Sequence, residues 1–152
     1  MEQIASKCLF MEYSMDTNKI LFGLNKKALL STIWIFVVVN YLYCDIMSLM
    51  EPALLKQYLA GNVGGMEITQ GFLLGAAVLM EISMSMILLS RILPYKANRV
   101  ANLIAGAITT LVQIATLFFG DMSLYYFFFS IFEIAGTATV FWLALRWKNV
   151  EE

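Results

Sequence analysis

Apolar residues run in four stretches along the chain, at about 28–50, 68–93, 100–119 and 123–147, with polar and turn-forming residues between them. Each stretch is close to the ~20 residues that a helix needs to cross a bilayer. Backbone polar groups in hydrocarbon must be satisfied within their own segment, so the stretches predict helices. Glu51-Pro52 ends the first, Pro94 the second and Gly120-Asp121 the third. Proline removes a helix hydrogen bond and disfavours helix in the residue before it. The expected fold class is an all-α membrane protein, one four-transmembrane-helix bundle over 28–147.

Outside the spans, residues 1–27 form a polar to mildly amphipathic arm, expected to be disordered or interfacial. The arm has no continuous apolar core followed by a small-residue cleavage site, so it is not a signal peptide. Met11 and Met15 offer alternative starts. Residues 148–152 form a short tail. The longest link, 51–67, holds the stretch LLKQYLA, suited to a short surface helix, followed by a turn-rich Gly61 to Gly65.

Within the spans, small and polar residues mark packed or wet faces. Asn98, Asn102, Gly106, Thr109, Gln113 and Thr116 recur at helical spacing on one stripe of the third span. Leu103, Ile104, Ile108, Leu111 and Val112 form its opposite, lipid-suited face. The fourth span repeats the pattern with Tyr126, Ser130, Glu133 and Thr137. The second carries Gln70, Ala77, Glu81 and Ser85, and the first carries Asn40 and Cys44 beside Tyr41, Asp45 and Ser48. Gly71 and Gly75 form a GxxxG, expected to serve packing within the bundle more than dimerisation. If every stripe faces inward, the outer half of the bundle holds a polar chamber, with Glu81 and Glu133 at its floor. Gln70, Gln113 and Asp45 then lie above them, and Asn102 below.

Composition narrows the class. The chain is 61% hydrophobic and 14% charged, against about 45–50% and 25% in soluble domains. Net charge is −1, which excludes a basic nucleic-acid surface. Nine of the ten basic residues fall on one side of the spans, with only Lys56 on the other. The positive-inside pattern places both termini in the cytoplasm. Trp34, Trp142 and Trp147 lie toward span ends, where interfacial anchors sit. Cys8 precedes the first span and Cys44 lies near its far end, a separation that no disulfide bridges.

The chemistry rests on three acids, Asp45, Glu81 and Glu133, set in runs whose only basic residues, Arg91 and Arg146, stand at their far ends. A charged side chain at a helix centre costs roughly 2.5–3.5 kcal/mol on insertion scales. Protonation, a bound cation or a wet interior must offset that cost. Asp45 is shallow enough to reach headgroup water, and Glu51 and Glu67, at span edges, are expected only to be solvated. No His stands ready to activate Cys44 or a serine. No Gly-rich phosphate loop precedes a helix, and the ten methionines are irregularly spaced. Neither catalysis, a cofactor nor a metal site is expected.

Tyr43-Cys44-Asp45, Thr69-Gln70-Gly71, Leu73-Leu74-Gly75, Asn98-Arg99 with Asn102 and Gly106, Glu133, and Trp142 with Trp147 follow in order. Together they resemble a bacterial family of small four-helix membrane proteins of unknown function, over about 29–147. The resemblance implies a multi-pass protein of the bacterial cytoplasmic membrane and brings no activity. It also implies that acids like Asp45 and Glu133 recur, whereas the position of Glu81 is usually small or apolar. A more distant similarity is to DoxX-like four-helix proteins, some linked to quinone or thiol redox. The leading functional expectation is a small transporter or permeation subunit for protons, cations or a small polar molecule. Its partners would be the bilayer and a second copy of the chain, since four spans make a thin pathway. The alternatives are a membrane subunit of a quinone- or lipid-linked oxidoreductase and a structural or assembly protein.

Overall fold

The computed structural model describes residues 2–118 and 123–147, with side chains from residue 26 onward. The expected turn at 120–122, the tail at 148–152 and the arm's side chains lie outside the described residues. Helix α1 runs Glu2–Met50 and α2 Pro52–Leu59. A small hairpin follows, β1 Asn62–Val63 and β2 Met66–Glu67. Then come α3 Gln70–Ile92, α4 Tyr95–Thr116 and α5 Leu124–Leu145. Among the described residues four segments are long and apolar enough to cross a membrane: Lys26–Met50 of α1, and α3, α4 and α5.

Local chemistry sets the boundaries. Pro52 opens α2 at its first turn, where its missing N–H is not needed. The hairpin pairs Asn62 with Glu67 and Val63 with Met66. Its two-residue turn is Gly64-Gly65, at φ +55° and +81°, a left-handed geometry that favours glycine. The Thr69 side chain caps α3 by accepting from the Phe72 N–H at 3.1 Å. Helix α4 starts at Tyr95, ahead of its apolar run, because Pro94 provides an extended N-cap. Arg99 donates to the carbonyls of Ala144 and Leu145, neutralising the C-terminal end of α5.

The four spans form a ring. Among the described residues α1 packs on α3 and α5, and α4 packs on α5 and α3, while the backbones of diagonal helices stay apart. The α4–α5 contact is the most extensive and α3–α4 the least. Two glycines allow backbones to close up. A Cβ on Gly106 would stand 3.2 Å from the Phe141 nitrogen and the Thr137 oxygen, and one on Gly136 would stand 2.6 Å from Val37 Cγ2.

One end of the bundle, holding the α3–α4 turn and Arg91, Lys96, Arg99 and Arg146, is filled. Leu30, Trp34, Met86, Ala105, Val140 and Trp147 form its core. Trp34 is therefore not an interfacial anchor: it is fully buried, and its indole N–H donates to Asn102 Oδ1 at 2.8 Å. Ser90 Oγ donates to the same oxygen, and Asn102 Nδ2 donates to Asn98 Oδ1. Trp147 is buried too, edge-on to Tyr95. Trp142 alone of the three is half-exposed, with the Arg146 guanidinium 4.4 Å from its ring centre.

At the α2 end, Glu51 is more than a solvated edge residue. Its Oε2 accepts from Ser123 Oγ at 2.8 Å and from the Tyr125 hydroxyl at 3.0 Å. These bonds tie the α1–α2 corner to the start of α5. A helical surface segment and a tight turn are both legible in the 51–67 link; the strand pairing is not, because two-residue strands carry no alternation to read.

Candidate functional site

In the α2 half of the bundle the helices line a half-open cavity of about 220 Å³. Helix α1 contributes Tyr41, Cys44 and Asp45; α3 contributes Ala76, Leu79, Met80 and Ser83. Helix α4 contributes Thr109, Val112, Gln113 and Thr116, and α5 contributes Tyr126 and Glu133. On each helix these positions lie three, four or seven residues from the first, so each helix presents one face to the space. Buried residues of α3 occur only at Ser83, Met86 and Ser90. The α2-end half of α3 is thus loosely held against α4, and the cavity lies in the gap that this leaves.

Glu133 is 1% exposed, and its Oε1 has no hydrogen-bond partner. Ser83 Oγ, across the cavity on α3, is likewise buried and unpartnered. Buried polar groups are otherwise nearly always paired, and an unpaired one costs about 1–3 kcal/mol. Neighbouring groups are already used. Gln113 Nε2 donates to Ser130 Oγ at 3.1 Å, Thr109 Oγ1 donates to the Ala105 carbonyl, and Thr137 Oγ1 donates to the Glu133 carbonyl. Two orphaned oxygens therefore mark one space. Asp45 also lines the cavity and is partly exposed. No Lys or Arg contributes to the lining. The Tyr58 phenol on α2 is held above its ordinary range, first by burial and then by Asp45, which places α2 beside the Asp45 mouth.

The structure brings Glu133, Asp45 and Gln113 of the candidate residues to the cavity and leaves four outside it. Asn102 lies in the closed half, within the Trp34 network. Asn40 donates to the Phe36 carbonyl of its own helix. Gln70 is exposed at the start of α3. Glu81 does not share the floor with Glu133: it is exposed, accepts from Ser85 Oγ at 3.3 Å, and lies about 160° round the helix from Ser83. The stripe Gln70, Ala77, Glu81 and Ser85 thus faces away from the bundle. A Cβ added at Gly75 would meet nothing within 4 Å, and one at Gly71 would meet only Thr69 Oγ1 at 3.8 Å, so the GxxxG does not pack within the bundle. Val112, expected on the lipid face, lines the cavity instead.

Sequence reasoning missed Ser83 as a floor residue. Its signal is the seven-residue spacing to Ser90 with Met86 between, which defines the α3 face that is buried. The acid at Glu81 points to the other face.

The fold and the cavity together define a polytopic membrane protein, a four-helix bundle with a carboxyl set in an intramembrane chamber. Residues 19–152 match a family of unknown function, DUF6326, and the chain belongs to that family. No curated protein and no solved structure shows significant similarity to it.

Proposed function

We propose that the protein is a small transporter or permeation subunit that takes a proton, a cation or a small polar molecule into this chamber. One observation carries the reading: Glu133 is buried with an unpartnered oxygen on the wall of a cavity large enough for a ligand. A carboxyl that served only to lock helices together would be hydrogen-bonded. The positive-inside pattern puts the basic end and both termini in the cytoplasm of a bacterial cell, so the chamber opens outward. The Trp34–Asn102 network is then the inner seal, and passage requires it to part. The distant likeness to DoxX-like proteins adds no residue to this picture.

The outward face of α3 supports assembly as a homodimer. An isolated carboxyl in lipid is costly, and a two-fold axis beside α3 takes Glu81 out of lipid against its own copy. Gly71 and Gly75, open on the same helix, let two backbones approach.

Flux across reconstituted vesicles tests the function. Wild-type protein carries protons or monovalent cations, and Glu133→Gln abolishes that flux while eluting as a folded species. Unchanged flux in Glu133→Gln would refute the transport reading.

A further inference from the structure

We propose, resting on the reading above, that the chamber's ligand is a small organic monocation: a protonated amine with a compact apolar or aromatic body. Three features define this class. The first is sign. The lining carries two carboxyls, Asp45 at the mouth and Glu133 at the floor, and no cationic side chain. An anion entering this space meets repulsion with nothing to neutralise it. The second is the donor set. Among the described residues no three His, Cys, Asp or Glu side chains stand together as a metal site would need. A multivalent metal ion therefore lacks the cluster of ligands that would replace its water. An ammonium needs fewer partners, since its three N–H groups are satisfied by the orphaned oxygens of Glu133 and Ser83 and one further acceptor or water. The third is the wall. Leu79, Met80 and Val112 give apolar surface, and Tyr41 and Tyr126 give aromatic rings that attract a cation. A bare proton or a hydrated ion has no use for such walls.

Size agrees. The cavity of about 220 Å³ exceeds the ~150 Å³ apolar cavity that takes up benzene. That suits a one-ring amine. The loose contact between the α2-end halves of α3 and α4 gives such a molecule a route from the outer leaflet as well as from water.

Binding to the full-length protein in nanodiscs, measured against empty nanodiscs, tests the class with three probes of similar size: 2-phenylethylammonium, 2-phenylethanol and phenylacetate. The ammonium binds saturably, at least ~10-fold more tightly than the alcohol or the carboxylate, the scale of one charge-assisted hydrogen bond. Glu133→Gln removes that preference, leaving ammonium and alcohol within about twofold of each other. Ser83→Ala weakens the ammonium by roughly threefold to tenfold, as loss of a neutral acceptor does, and Glu67→Gln, a surface charge control, changes nothing. Equal binding of ammonium and alcohol to wild-type protein would overturn the assignment, whether or not any variant folds. So would full ammonium affinity in both Glu133→Gln and Ser83→Ala. Failure of the ammonium to bind, beside flux of protons or sodium that depends on Glu133, would refute the ligand class and leave transport standing. Glu133-dependent ammonium binding without any flux would refute transport and leave the site standing.

Discussion

Glu133 and Ser83 leave two oxygens unsatisfied, while the other buried side-chain polar groups among the described residues find partners, so stability and function oppose each other at these residues. An orphaned buried group costs about 1–3 kcal/mol, and an apolar residue of similar volume removes the cost. Glu133→Met is therefore expected to raise the thermal midpoint of the purified protein while abolishing ligand binding, the trade-off typical of functional sites. A lowered midpoint would mean that the carboxyl has a structural partner. Trp34 shows the opposite case. Its N–H shares Asn102 Oδ1 with Ser90 in the closed half, and Trp34→Phe removes that hydrogen bond at a cost of about 0.5–1.5 kcal/mol, readable as a lower unfolding midpoint. Glu133 is legible in the sequence as an unpaired acid on a polar stripe. Trp34 is not, because an aromatic near a span end looks the same whether it reaches the interface or the core.

At the scale of the element, the helices are legible to different degrees for one reason. Lipid tails are as apolar as a protein core, so only polar and small residues tell the inside face from the outside. Helix α4 has a single stripe of them, and Asn98, Asn102, Gly106, Thr109 and Gln113 are all buried as their spacing requires. Helix α3 has polar residues on two faces, Ser83 and Ser90 inward and Glu81 and Ser85 outward. Periodicity alone does not rank those faces. The glycines divide in the same way. Gly106→Val forces the α4 and α5 backbones apart and should destabilise the bundle by about 1–3 kcal/mol, seen as early unfolding of the monomer. Gly75→Leu meets nothing within the bundle and should leave monomer stability unchanged. It should reduce cross-linking between copies, as Glu81→Leu should. Cross-linking that persists in both variants would place the dimer contact elsewhere.

On the scale of the whole molecule, the bundle is closed at its basic end and hollow at the other. The filled half contains Trp34, Asn102 and the core around Met86 and Val140. The hollow half contains the cavity beneath α2. This asymmetry is what a one-sided binding site needs, and the orientation proposed above would give it a direction across the membrane. Cys44 reports on it directly, because it is a buried free thiol on the cavity wall. In a Cys8→Ser background, membrane-impermeant thiol reagents can be applied to right-side-out and inverted vesicles. Cys44 should react from the side opposite the termini, faster with a cationic than with an anionic methanethiosulfonate, and 2-phenylethylammonium should slow the reaction. Reaction only from the side of the termini, or no reaction from either side, would contradict an outward-opening chamber floored by Glu133.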